Sequence, residues 1–201
     1  MSAERPLRIA VADDEPDMLL FFRELLPHLG HEVVAEAATG KELVESCRGA
    51  RPDLVITDVR MPDMDGIQAA SEVNRDGRVP VILVTAHHDA DILARAGADY
   101  IMAYLAKPVK PVDLQAAIGL ALLRFGHFQA LIKETADLRQ ALEDRKVIER
   151  AKGSVMKRVG VEEEEAFRRL RKLASNENRK LADVAEQVAA AEEVFRQLDK
   201  G

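Results

Sequence analysis

From Leu7 onward, the first half of the chain alternates short, β-branched apolar runs with stretches of helical spacing, and this rhythm limits the possible folds to very few. The run "LRIAVAD" is followed by "EPDMLLFFRELLPHLG", with Pro16 near the helix start and Gly30 just past its end. Then come "HEVVAEA", "GKELVESCRGA", "DLVITDV", "DGIQAASEVNRDG", "PVILVTA", "DADILARAGA" and "YIMAYLA". Short strands that are apolar along their whole length need cover on both faces, and helices between them supply it. The pattern predicts an α/β fold: five parallel strands and five helices in a doubly wound sheet. Ligands of such sheets sit at the carboxyl ends of the strands.

Acids and small polar residues fall at those ends. Asp13 and Asp14 close the first strand, Asp58 the third and Thr85 the fourth, and Lys107 follows the fifth. An acid after a strand also serves as a helix N-cap. All five positions together are better explained by a shared ligand. Carboxylates packed side by side repel and call for a cation. A hard, oxygen-seeking ion such as Mg²⁺ suits one or two carboxylates, water and phosphate oxygens. His87 and His88 follow Thr85 and read as surface histidines.

With "VADDEPDM", "ITDVRMPDMDG", "ILVTA" and "YLAKPVKPVDL" in place, residues 6–120 resemble a response-regulator receiver domain of flavodoxin-like fold. The resemblance implies that Asp58 is the phosphoacceptor for a histidine kinase. It implies that Asp14 and Asp58 ligate Mg²⁺, with Asp13 acting through water and the Arg60 carbonyl completing the site. Thr85 and Lys107 would hold phosphoryl oxygens, and Tyr104 with Thr85 would form the switch. It also implies a cis bond between Lys107 and Pro108. The domain would catalyse only its own aspartyl phosphorylation and hydrolysis, and would not be an enzyme in the metabolic sense.

No proline follows Pro111, and the chain from there reads as one long helix. Apolar positions at Ile118, Ala121, Phe125, Phe128, Ile132, Thr135, Leu138 and Leu142 form a heptad-like seam, with one three-residue slip near Thr135. Residues 121–143 are expected to be a coiled-coil connector. Up to Ile118 the stripe belongs to the first domain's last helix; beyond Phe125 the helix should outrun that domain and meet a partner helix.

On a helical wheel Lys146, Arg150, Gly153 and Lys157 share a sector of about 60°, opposite Ile148, Ala151, Val155 and Val159. A glycine within a basic stripe lets a backbone approach closely, which favours a phosphate-contacting face over a merely solvated one. Gly160 should end the helix. Two shorter amphipathic helices follow, "VEEEEAFRRLRKLA" and "NRKLADVAEQVAAAEEVFRQL". The first has Ala166, Phe167, Leu170, Leu173 and Ala174 inside; the second has Leu181, Val184, Ala185 and Val188. The segments "ALEDRKVIERAKGSVMKR", "EEAFRRLRKLA" and "RKLADVAEQV" resemble the ANTAR domain, the RNA-binding output module of transcription antitermination regulators. That domain is expected over residues 136–198 as a small three-helix bundle. The resemblance implies Lys152, Gly153 and Arg171 as RNA contact or geometry residues, with Ala151, Leu170 and Ala174 as core. Phe167 and Phe195 both fall on apolar stripes, so hairpin RNA is expected to be read through its backbone and shape rather than on an aromatic platform.

Charge divides along the same line. The net charge is −6, yet residues 145–180 hold 12 Lys+Arg against 6 Asp+Glu. A local basic block suits a polyanion. The single cysteine, Cys47, excludes an internal disulfide, and the N-terminus lacks an apolar signal region. A cytoplasmic protein with no membrane association is expected, forming a phosphorylation-dependent homodimer that binds hairpin RNA in nascent transcripts. A DNA-binding response regulator and a protein-interaction regulator with a docking tail are the competing readings; a helix-turn-helix reader would show a tight turn between two helices near a right angle.

Overall fold

The computed structural model describes residues 5–75, 79–86 and 100–198. The elements run β1 (Arg8–Ala12), α1 (Pro16–His28), β2 (Glu32–Ala37), α2 (Gly40–Ala50), β3 (Leu54–Asp58), α3 (Gly66–Val73), β4 (Val81–Thr85), β5 (Ile101–Ala106), α4 (Pro111–Val159), α5 (Glu163–Asn176) and α6 (Leu181–Leu198). The helix expected over "DADILARAGA", and His87 and His88, lie outside the described residues. The chain divides into two compact units, Met1–Ala130 and Leu131–Gly201.

In the first unit the strands are all parallel in the order β2-β1-β3-β4-β5. That is the flavodoxin-like order, with its switch point between β1 and β3. Alternate residues of each strand feed two cores. Ile9, Val11, Leu54, Ile56, Ile82 and Val84 face Phe22 and Leu26 of α1 and Leu114, Ile118 and Ala121 of α4. Ala10, Ala12, Val55, Val81 and Leu83 face Leu43, Val44 and Cys47 of α2 and Ala69 and Ala70 of α3. Period-two alternation and burial on both faces follow from the pleat.

Local chemistry fixes the element ends. Pro16 opens α1 where its missing N–H costs nothing, and Gly30 leaves the helix at φ +84°. At α2 the Thr39 hydroxyl accepts from the Glu42 N–H at 3.2 Å, and the Glu42 carboxylate accepts from the Ala38 N–H at 2.9 Å. Asp65 caps α3 by accepting from the Gln68 N–H at 2.7 Å. Gly66 sits so close to β3 that a Cβ would lie 1.9 Å from the Asp58 carbonyl oxygen. The Lys107–Pro108 bond is cis.

Helix α4 is continuous through the boundary of the two units. Packing against the first unit runs further than the heptad pattern suggests: Phe125 and Phe128 are both partly buried against its core. Two aromatic side chains find more apolar surface there than a solvated seam could offer. Of the later seam positions Ile132 is half-buried, while Leu138 and Leu142 are 61% and 59% exposed; Leu131, off the predicted spacing, is exposed beside them.

In the second unit Ala151 of α4, Leu170 and Ala174 of α5, and Val184 and Ala185 of α6 form a small core, flanked by Val147, Ile148, Val155, Leu181 and Val188. Leu173, expected inside, is 42% exposed. Gly160 ends α4 at φ +69°, where its N–H bonds to the Met156 carbonyl.

Candidate functional site

The parallel register assembles a polar pocket at the carboxyl edge of the sheet. Asp58 ends β3 beside Val84, and Thr85 ends β4 beside Ala106, so Lys107 emerges directly next to both. The Lys107 N–H bonds to the Thr85 carbonyl at 2.9 Å. Its ammonium donates to three carboxylates: Glu15 Oε1 at 2.7 Å, Asp58 Oδ2 at 2.9 Å and Asp13 Oδ1 at 3.2 Å. Partial burial works against that ammonium, but the bonds to Glu15, Asp58 and Asp13 outweigh it and raise its pKa.

Asp13 is fully buried, and burial is the largest influence on its carboxyl. It raises the pKa despite the Glu15 N–H at 3.0 Å and the neighbouring Lys107. Asp13, Asp14 and Asp58 each bring one carboxylate oxygen within 4.8 Å of the others. Asp13 Oδ2 lies 3.0 Å from Lys107 Nζ, yet it receives no aligned hydrogen bond. A buried acceptor that is attracted but not directed, among three carboxylates, is a donor set that suits a hard cation. The Arg60 N–H reaches Asp58 Oδ1 only at 3.4 Å. The Thr85 hydroxyl, largely buried, donates to the Ala86 carbonyl at 3.1 Å. Tyr104 lies on β5, partly exposed, and burial of its ring raises the phenol pKa.

The basic residues of the second unit have separate fates. Arg150, Gly153 and Lys157 line one side of a groove of about 710 Å³, and Glu186, Glu193 and Arg196 of α6 line the other. A Cβ on Gly153 would meet nothing within 4 Å, so packing does not require the glycine. Lys146 lies outside that lining and pairs at the surface with Glu143 at 2.7 Å. Lys152 is drawn inward to 8% exposure, where Glu149 at 2.8 Å and Glu163 at 2.5 Å hold its ammonium and raise its pKa. It ties α4 to the start of α5, which is a geometry role rather than an offered charge. Arg171 is exposed, with its guanidinium 5.9 Å from the centre of the Phe167 ring.

Residues 9–119 match the response regulator receiver domain, and residues 136–188 match the ANTAR domain. The chain is a response regulator with an ANTAR output domain. The transcriptional regulatory protein PdtaR of Mycobacterium tuberculosis (strain H37Rv) is 41% identical over 183 residues, covering 91% of this chain and 89% of that one. The chemotaxis protein CheY of Bacillus subtilis is 33% identical over 116 residues, 57% of this chain and 97% of that protein. A receiver domain protein from Clostridium thermocellum superposes with a TM-score of 0.55 at 32% identity, over 60% of this chain and 97% of that chain.

Three features of this regulator were not foreseen from its sequence. Glu15 makes the shortest bond to Lys107, although the resemblance assigns it no role. Arg196 joins the basic groove from α6. Phe195, placed on an apolar stripe by the wheel, is 47% exposed with the Arg158 guanidinium 4.0 Å from its ring centre. The positions of Phe195 and Arg196, three and four residues after Glu192 and so close to it on the helix surface, were the available signal.

Proposed function

We propose that the protein is a cytoplasmic two-component regulator in which a histidine kinase phosphorylates Asp58, and that the phosphorylated form dimerises and binds hairpin RNA in nascent transcripts to cause antitermination. The carrying observation is Asp58 at the sheet edge with Lys107 Nζ 2.9 Å away, in one chain with an ANTAR domain.

An Asp58 carboxylate oxygen attacks the phosphorus of a phosphohistidine; the P–N bond breaks as the P–O bond forms. Asp13, Asp14, Asp58 and the Arg60 carbonyl would hold Mg²⁺, which when bound supplies positive charge to the phosphoryl oxygens in flight. Lys107 exchanges a carboxylate partner for a phosphoryl oxygen, and the Thr85 hydroxyl turns from the Ala86 carbonyl towards another. Most of the acceleration comes from positioning, so the receiver transforms only itself. Tyr104, three residues before Lys107 on β5, would respond to that change.

The exposed leucines Leu131, Leu138 and Leu142 supply the pairing surface, and Arg150, Lys157 and Arg171 with the Gly153 opening supply the RNA face. The test uses a small phosphodonor with Mg²⁺. Wild type is expected to be labelled and to shift hairpin-rich RNA but not duplex DNA. Asp58→Asn is expected to take no label, because an amide cannot form the acyl phosphate. Labelling that persists in Asp58→Asn would remove the phosphoacceptor; a preferred shift of duplex DNA would make this a DNA regulator.

A further inference from the structure

We infer that α6 carries a binding site for a single unpaired nucleobase, with the Phe195 ring as its floor; this rests on the RNA-binding reading above. Arg158 lies over that ring at 4.0 Å and donates to Glu192 Oε2 at 2.6 Å. Beside it is a small pocket of about 180 Å³, walled by Val155, Val159, Val188, Ala191 and Phe195. Ser154 and Glu192 border both this pocket and the basic groove, so the two adjoin. The ring is 47% exposed, whereas a phenylalanine serving only the core would be covered.

The juxtaposition selects the ligand. A small apolar pocket floored by a flat aromatic ring, adjoining a groove that bears Arg150, Lys157 and Arg196, fits a planar ring covalently joined to phosphates, which describes a nucleotide within RNA. Sequence-specific RNA recognition takes bases that are splayed out of the helix, stacks them on aromatic rings and reads their edges. Arg158 now holds the base's place: it is flat, cationic and hydrogen-bonded. When a base takes the ring face, the freed guanidinium turns to the adjoining phosphate. Glu192 then borders the pocket as an acceptor without a proton to give, so it favours a base edge that carries an amine. With Arg158 in place its carboxyl is held below the ordinary value, first by the Arg158 bond and then, against burial, by the Arg158, Lys157 and Arg196 charges; once Arg158 turns away, Lys157 and Arg196 still favour the anion.

The experiment uses full-length, phosphodonor-treated protein. An RNA hairpin pool with a randomised loop is passed over wild type, and one retained hairpin is resynthesised with 2-aminopurine at each loop position in turn. Wild type is expected to quench the probe at one position by stacking. Phe195→Leu, which keeps apolar bulk without a π face, is expected to lose that quenching and bind about 5- to 150-fold more weakly. Phe195→Trp should retain both, and unchanged helix content of Phe195→Leu by circular dichroism verifies its fold. Equal affinity and equal quenching in Phe195→Leu overturns the site. So does weakened binding when no loop position is quenched by wild type, since the ring would then act only in the bundle. Loss of self-association with RNA affinity intact overturns it in favour of a surface between copies. If wild type retains no hairpin, the RNA-binding reading fails first, and this site with it.

Discussion

At Asp13 burial and charge oppose one another, and the outcome sets the resting state of the pocket. Burial favours the protonated carboxyl, while Lys107 and the Glu15 N–H favour the anion. Lys107 answers by serving Asp13, Glu15 and Asp58 together, acting as the pocket's own counter-ion. Asp58, Thr85 and Lys107 were legible in the sequence because a parallel sheet aligns strand ends, whatever their separation along the chain. Glu15 was not, because three successive acids give no sign of which one turns towards a lysine that comes so much later. Gly66 sits at the same scale. Its missing Cβ leaves room for the Asp58 carbonyl, which would otherwise lie 1.9 Å away. Gly66→Ala must shift β3 or the start of α3, at a cost of about 1–3 kcal/mol. A lower denaturant midpoint together with slower phosphoryl labelling is the expected result. An unchanged midpoint would mean that the loop yields freely and that the close approach holds nothing in place.

Among the elements, α4 serves three environments in turn. Its first turns bury Leu114, Ile118 and Ala121, its middle presents leucines to solvent, and its end carries the basic stripe. The heptad spacing predicted the apolar stripe but not where its partner changes, because periodicity records which face is apolar and not what covers it. Phe128 therefore fell on the wrong side of the expected boundary. The stripe itself was legible as a 60° sector, while the acids opposite it on α6 were not. Glu186, Glu192 and Glu193 of α6 stand against Arg150 and Lys157 in the groove, with Arg196 beside them on α6. Reversal of Lys146, Arg150 and Lys157 to Glu should weaken RNA binding and lessen the salt dependence by roughly 0.7–0.9 in slope per lost phosphate contact. Lys146 lies off the groove and already pairs with Glu143, so Lys146→Glu alone should change the slope least. Filter binding across a salt series measures this. A slope and affinity that survive the triple reversal would reduce the stripe to a solvated face.

For the whole molecule, the charge is as divided as the fold: the acidic first half surrounds the carboxylate pocket, and the basic block lies within the second unit. One groove offers few cations and shares them with three acids, so a single copy has a small polyanion surface. Two copies joined along the exposed leucines would make the second contact intramolecular, which can raise avidity by roughly 10²–10⁴ without new contacts. The unphosphorylated protein is expected to scatter light as a monomer or weak associate, and the phosphodonor-treated protein as a dimer. A monomer in both states that binds RNA at full affinity would exclude this coupling. A constitutive dimer would move the switch elsewhere. No helix among the described residues is long and apolar enough to cross a membrane. The unbroken run of α4 from the leucine seam into the basic stripe has one further effect, on how such genes can change. Each residue inserted or deleted between Leu142 and Lys146 turns the stripe by about 100° relative to the seam, whereas seven residues turn it by only about 20°. Descendants of this gene can therefore change the letters of that stretch with little consequence, yet can alter its length only in steps such as seven or eleven, so that its length is inherited more strictly than its spelling.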